Sequence, residues 1–290
     1  MLTVVRRFLS ALSHRRWLLS RRLIQISIVL AFVVEIPDYG RIAEGNLSSS
    51  VWFKKLSLTD PFIWLQSMLA GGSLAMPALM GAAIIAAFYA FFGGRIYCSW
   101  VCPINMLTDL AYWLRQKLNI KGNLSMTRQF RVVILVLSLL LSALAGTLAW
   151  ELINPITLFQ RELMWGSLAG SMMLLALFLF DLLVSRRGWC GHLCPVGAFY
   201  AILGRYGRLR VTKRDANACA GTACSACVKV CPEPHVLAPV VSDQARSVTS
   251  GDCTRCGACL DNCKTGALSM KLDVGKGSGI GGIPVVASDK

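Results

Sequence analysis

C-A-G-T-A-C-S-A-C-V-K-V-C-P (219–232) and C-T-R-C-G-A-C-L-D-N-C (253–263) hold eight of the chain's twelve cysteines. Thiolates spaced two, two and three residues apart wrap a small inorganic core from one short loop, and a fourth cysteine followed by Pro ligates the other cluster of a two-cluster ferredoxin. The second run has that spacing in full at Cys253, Cys256, Cys259 and Cys263. The first has it for Cys224, Cys227 and Cys231-Pro232, with Cys219 set back by a four-residue gap. The pattern predicts two [4Fe–4S] clusters, one on Cys219, Cys224, Cys227 and Cys263, the other on Cys253, Cys256, Cys259 and Cys231. CxxC pairs also serve structural zinc. Zinc ribbons, however, separate two pairs widely and have no use for three close cysteines plus C-P.

Outward from that stretch the chain changes character. Of its 290 residues, 55% are hydrophobic and the formal net charge is +15; mean hydropathy is +0.56. This composition predicts membrane spans. Apolar runs lie at 23–36, 74–92, 130–150 and 166–184. Six Arg fall in residues 1–22 and six Lys or Arg in 94–131, against three in 37–73 and one, Arg161, in 151–165. By the positive-inside rule both termini are expected in the cytoplasm of a multi-pass inner-membrane protein. The cysteine-rich stretch then sits in a reducing compartment, which argues against a disulfide framework. No basic stripe interleaved with aromatics points to nucleic acid. The expected fold is thus an α-helical integral membrane protein of four transmembrane helices in a duplicated hairpin, with a C-terminal α+β bacterial-type two-cluster ferredoxin domain. Its parts are a basic cytoplasmic segment (1–22), the membrane domain (23–187), a C-x-x-x-C-P motif with a short interfacial helix (188–210), the ferredoxin domain (211–273) and a Gly-rich flexible tail (274–290).

The duplication is visible in the letters. L-T-D-P-F-I-W-L-Q (58–66) answers L-I-N-P-I-T-L-F-Q (152–160), and R-I-Y-C-S-W-V-C-P-I-N-M (95–106) answers R-G-W-C-G-H-L-C-P-V-G-A (187–198), about ninety residues apart. Cys98 and Cys102, like Cys190 and Cys194, are four apart and share one face if helical, and the Pro after each second cysteine suits a helix start. Three readings of these thiols stand: a redox-active or metal-holding four-thiol site, two thiol/disulfide switches, or small packing residues.

The three histidines (His14, His192, His235) lie outside the apolar runs, and no C-x-x-C-H occurs. Neither b-type nor c-type haem is expected. Asp60, Gln66, Asn154 and Gln160, with Glu35 and Glu151, are the polar groups of the outer loops. They are either quinol-site candidates, since quinol needs two proton acceptors, or caps of short helices after Asp60 and Asn154. Asp109 and Asp181 are expected to pair with Arg or Lys.

With these features assembled, the chain resembles the NapH-type membrane ferredoxins, the quinol dehydrogenase component of periplasmic nitrate reductase systems. The matching residues are L-T-D-P-F-I-W-L-Q-S-M-L-A-G-G, C-S-W-V-C-P-I-N-M-L-T-D-L-A-Y-W-L-R, G-T-L-A-W-E-L-I-N-P, F-L-F-D-L-L-V, G-W-C-G-H-L-C-P-V-G-A and C-P-E-P-H-V-L. The resemblance covers about residues 15–270. It implies two [4Fe–4S] clusters, quinol as substrate and no flavin. Electrons would pass through a periplasmic NapG-type ferredoxin, or a NapC-type tetrahaem cytochrome, towards a nitrate reductase, with the quinol pool and membrane lipid as further partners. Family members usually carry C-x-x-C where this chain has Cys219-x4-Cys224, and Lys264 stands where many ferredoxins have Pro. Two other functions compete: assembly or redox maintenance of a metalloenzyme, as in related membrane ferredoxins, and an inert anchor, which would not need eight cluster-type cysteines.

Overall fold

Two dipeptides, Asp60-Pro61 and Asn154-Pro155, hold equivalent places in the two halves of the structure and each opens a helix. The computed structural model describes residues 15–273 apart from 37–39, 73–74, 121, 123, 125, 167, 215–217, 220 and 222–223. In each half a carboxylate or amide oxygen accepts from the amide two residues on, Phe62 N to Asp60 at 2.8 Å and Ile156 N to Asn154 at 3.2 Å, and Pro occupies the first helical position. That combination caps a helix start and needs no N–H from the Pro.

The first half comprises α1 (Arg16–Val33), strands β1 (Glu35–Ile36), β2 (Gly40–Arg41), β3 (Ala43–Gly45), β4 (Ser49–Trp52) and β5 (Leu56–Thr59), then α2 (Pro61–Leu69), α3 (Met76–Phe92), α4 (Ile96–Trp100) and α5 (Ile104–Lys117). The second comprises α6 (Gln129–Ala145), α7 (Pro155–Trp165) and α8 (Leu168–Leu179), which widens into a π-helical turn over Phe180–Val184. A second π turn over Trp189–Leu193 then leads to α9 (Pro195–Leu203). The β3–β4–β5 antiparallel sheet lies in a loop that the sequence reading left without strands.

Beyond α9 the ferredoxin-type part runs from β6 (Leu209–Lys213) through α10 (Ala226–Val230), α11 (Ala238–Val241) and α12 (Ala258–Asp261) to β7 (Leu268–Leu272). β6 and β7 pair antiparallel, Leu209 with Leu272 and Lys213 with Leu268. Val211, Val236, Leu237, Val240, Val248 and Leu268 form its core with Cys231 and Cys259. The helical part has its own core around Phe62, Tyr97, Tyr200 and Trp150. Gly251 lets the two meet closely, since a Cβ there would lie 2.0 Å from the Ala201 carbonyl oxygen of α9.

The four-span membrane fold, and with it the multi-pass inner-membrane location with cytoplasmic termini, is corrected here. Among the described residues no helix is long and apolar enough to cross a membrane. The apolar runs are cut by their own punctuation. α3 and α6 have 17 residues each and end at Gly93 and Gly146, both at positive φ. At 1.5 Å per residue that is about 26 Å, short of a bilayer core of about 30 Å. α8 is regular for 12 residues before its π turn, and the 18-residue α1 carries Arg16, Arg21 and Arg22. Leu23, Met76, Val133, Leu144 and Met172 of these helices nonetheless present exposed apolar side chains. The flexible tail at 274–290, His14 and most of the basic segment lie outside the described residues.

Candidate functional site

The two cysteine runs meet in the core of the ferredoxin-type part, which brings Cys227, Cys231, Cys253, Cys259 and Cys263 together. The Cys227 thiol, raised by burial, lies in the fields of Cys263 and Cys219. Cys231 lies in those of Cys256 and Cys253, and Cys259 in those of Cys256, Cys253, Cys231 and Cys227. Burial also raises Cys231 and Cys259. At Cys263 burial acts upward too, but amides of Leu268, Ala267 and Thr265 and the Thr265 hydroxyl outweigh it and draw the thiol down. Such N–H···S donation stabilises the thiolate that iron requires. Cys224 is exposed, at a turn where its amide donates to Gly221 O at 3.3 Å. Gly221, at φ +59, turns the chain inside the four-residue gap.

The duplicated C-x-x-x-C-P motifs converge from opposite halves. Neither is a regular helical turn: the amide of Cys102 donates to Tyr97 O at 3.0 Å and that of Cys194 to Trp189 O at 2.9 Å, five residues back in each case. Cys102 is buried in the helical core, with Cys98 and Cys194 packed against it. Cys190 lies in the fields of Cys194, Cys102 and Cys98. Burial pushes Cys194 up to about 12, opposed by the amides of Gly197 and Val196. Among the described residues no three Cys, His, Asp or Glu side chains close on a single-ion position. That holds for these four thiols and for the cysteines of the two ferredoxin-type runs alike.

Arg95, 1% exposed, joins the motifs to the ferredoxin part. Its guanidinium donates to Glu233 at 2.8 Å, to Asp252 O at 3.1 Å and to Cys190 O at 3.1 Å. Burial would lower its pKa, but Glu233, Cys98 and Asp252 together raise it. Arg131 pairs with Asp252 at 2.5 Å, and Asp252 also meets His235 Nε2 at 3.2 Å. Burial works upward on Asp252 as well; His235, Arg131 and Arg95 overcome it and hold its carboxyl well below the usual range.

Two family models match the chain: one described as a 4Fe-4S binding domain, at residues 74–121 and again at 167–214, and one described as a 4Fe-4S dicluster domain, at 211–264. The methylamine utilization ferredoxin-type protein MauN of Methylobacillus flagellatus is 69% identical, over 96% of each chain. The ferredoxin-type protein NapH of Escherichia coli is 50% identical, over 87% of each. The MauN protein of Paracoccus denitrificans is 46% identical, over 83% of this chain and 85% of its own. This chain belongs to the NapH/MauN family. The NapH resemblance read from the sequence is therefore borne out, and the chain is a ferredoxin-type iron–sulfur electron-transfer protein. No solved structure matches it.

In this NapH/MauN chain the outer-loop candidates are occupied in binding the halves together. The Gln66 carbonyl accepts from Ser142 Oγ at 3.1 Å and Trp150 N at 3.3 Å, on the approach to α7. Gln160 accepts from Leu47 N at 2.7 Å, on the approach to α2. Each repeat's Gln thus ties down the other repeat's loop. Glu151 accepts from Asn154 and from Ser48. Asp109 pairs with Arg21, Arg22 and Arg187 as expected. Asp181 does not pair that way: it accepts from Trp189 N at 3.0 Å, and Arg115 donates to the Asp181 and Leu182 carbonyls instead.

Sequence reasoning missed Arg95, Glu233, Asp252 and Gln25. The last is fully buried and donates to the carbonyls of Ser99 and Cys102 at 3.1 Å. A signal for Arg95 was present in the repeat, since R-x-aromatic-C occurs at Arg95 and again at Arg187. Also unforeseen were three buried, mutually packed tyrosines, with Tyr97 stacked on Tyr200 at 4.9 Å and Tyr89 at 5.1 Å from Tyr200.

Asp60 is buried beside these tyrosines, and burial pushes its carboxyl up to about 7 despite the Phe62 amide and the Tyr200 hydroxyl. A carboxyl raised on folding stabilises the fold fully below its unfolded value and loses that contribution as pH climbs to the folded value. The contribution is on the order of 4 kcal/mol between about pH 4 and 7. Asp181, raised by burial to about 6, acts with the same sign. Asp60→Asn keeps the cap, as Asn154 shows in the other half. It should therefore fold and give urea-unfolding free energies that fall less steeply across this range than those of the unsubstituted protein.

Proposed function

We propose that this protein oxidises a quinol and passes the electrons through its iron–sulfur groups to a partner redox protein. The observation that carries this reading is a cleft of about 1080 Å³ between α1, α5 and α12, lined by Met106, Leu107, Leu110 and Trp113 and opening beside Cys263. Cofactor-sized ligands favour concave, mostly apolar sites with a few polar groups. Here Tyr112, Asp109, Arg22 and Gln116 supply those groups. A hydroquinone ring in the cleft would sit against the cluster held by Cys219, Cys224, Cys227 and Cys263, and the apolar wall would take its tail. Asp60, Gln66, Asn154 and Gln160 are a poorer choice for the quinol site, because their oxygens already accept structural hydrogen bonds.

Two destinations for the electrons follow from the relatives. The NapH likeness supports delivery, through NapG-type or NapC-type partners, towards a periplasmic nitrate reductase. The higher identity to the MauN protein of Methylobacillus flagellatus favours a second reading: assembly or redox maintenance of a metalloenzyme of methylamine utilisation. Deleting the gene and scoring growth on methylamine against nitrate respiration separates them.

Replacing Trp113 with Ala and Leu107 with Glu together is expected to raise the quinol concentration for half-maximal cluster reduction about tenfold, the worth of about 1.4 kcal/mol of lost apolar contact. Reduction by dithionite should be unaffected. Unchanged quinol dependence would reject the cleft.

A further inference from the structure

We infer that the cleft between α1, α5 and α12 contains an anion subsite, formed by Arg21, Arg22 and Arg187, that takes its quinol with one hydroxyl deprotonated, an inference that rests on the quinol reading of that cleft. On binding, one ring O–H gives its proton to water and the oxygen keeps the bonding pair. The bound species is then a quinolate.

Three guanidiniums of the cleft wall meet one carboxylate. Asp109 pairs with Arg22, with Arg187 at 2.5 Å and with Arg21 at 3.8 Å. Arg21 is enclosed, its side chain 4% exposed. Among the described residues Asp109 is the one carboxylate that pairs with any of the three. The other partners of Arg22 are neutral side-chain oxygens, Gln25 at 2.6 Å and Asn105 at 3.5 Å. Among the described residues nothing accepts from Nε of Arg21 or of Arg187. Asp261, the second acidic residue of the wall, instead accepts from the amides of Trp17 and Leu18 at 3.4 and 3.3 Å. The wall therefore carries excess positive charge. Arg187 also lies in the fields of Cys256 and Cys190, so the excess falls mainly on Arg21 and Arg22. Burial, with Arg21 and Arg187 acting the same way, draws Arg22 below the ordinary guanidinium range against the pull of Asp109. Enclosed charge without a counter-charge is costly, and an anionic ligand would offset it.

The rest of the wall decides the kind of anion. A small inorganic ion would use the guanidiniums and leave Met106, Leu107, Leu110 and Trp113 bare. A quinolate uses both, with its oxygen on the α1 arginines and its ring and tail on the apolar side. Guanidinium N–H groups give charge-assisted hydrogen bonds to an oxyanion. Positive charge at that range also favours the deprotonated form of an acid. Arg187 lies over the Tyr112 ring at 5.2 Å, which fixes it at the cleft wall beside the other two.

Calorimetric titration of the full-length protein, purified anaerobically, tests the subsite with two probes that share one ring and tail. One is an alkyl hydroxynaphthoquinone, ionised at neutral pH through its acidic hydroxyl; the other is its uncharged methyl ether. The anion should bind about tenfold more tightly than the ether. Arg21→Gln should remove most of that preference, and Arg161→Gln, at an exposed arginine outside the cleft, should keep it. Equal affinities in the unsubstituted protein would overturn the anion subsite and leave the quinol reading standing, even if Arg21→Gln failed to fold. Binding of neither probe would remove the quinol reading of the cleft itself. Tighter binding of decyl phosphate than of the hydroxynaphthoquinone would overturn the quinolate and give the subsite to a phosphate head group.

Discussion

Cys263→Ser should behave like Cys227→Ser and unlike Cys256→Ser, although Cys263 and Cys256 lie in the same run of sequence. The Cys227 thiol lies in the fields of Cys263 and Cys219, whereas Cys231 lies in those of Cys256 and Cys253, which supports the proposal of two clusters that each draw three thiols from one run and one from the other. Removing any one ligand is expected to cost about 4 of the roughly 8 irons of the dicluster segment. Spin coupling between the two reduced clusters should vanish with it. EPR of dithionite-reduced variants distinguishes the outcomes: Cys227→Ser and Cys263→Ser leave one and the same residual signal, and Cys256→Ser and Cys231→Ser leave the other. Cys219→Ser examines the four-residue gap. If Cys219 is a ligand, its variant joins the Cys227 class.

The second large effect is at Arg95. Its charge is buried against Glu233 at 2.8 Å, and Glu233 is itself 5% exposed. Removing one member of such a pair strands the other without solvent, at a cost of about 3–5 kcal/mol. Arg95→Met should therefore lower the unfolding midpoint sharply. It should also loosen the ferredoxin-type part from α4, which limited proteolysis between residues 204 and 226 would detect. Arg128 provides the control. It reaches Glu233 at 3.5 Å with a side chain 38% exposed, and exposed pairs contribute about 1 kcal/mol or less. Arg128→Met should leave the midpoint nearly unchanged.

What was legible in the sequence was local. Cysteine spacing around Cys224–Cys231 and Cys253–Cys263 needs only a short loop, so the ferredoxin type was readable without knowledge of the fold, and a 4Fe-4S dicluster model matches that stretch. The Pro after Cys194 marked a helix start, and the Pro after Asp60 and Asn154 marked two caps, because Pro fixes its own backbone angle. The duplication was equally open, being a matter of counting letters.

What failed depended on chain geometry. Apolar content over 130–150 reads the same whether a helix runs on or stops, and Gly146 in the left-handed conformation stops it. A window average cannot register one residue of that kind. The β3–β4–β5 sheet was missed because its strands are three or four residues long, below the length at which alternation carries a signal. Arg95, Glu233 and Asp252 are separated by up to 157 positions, and nothing in a linear reading brings them together. The same holds for the cleft beside Cys263, whose walls come from α1, α5 and α12.

Electron transfer from quinol into the iron–sulfur groups is visible by redox-monitored EPR. The anaerobic, oxidised protein is mixed with a reduced short-chain quinol in the presence of its partner redox protein and frozen at intervals. Reduced-cluster signals should grow with quinol concentration and reach the intensity given by dithionite once the acceptor is removed. Clusters that dithionite reduces but quinol leaves oxidised, with the partner present, would contradict it.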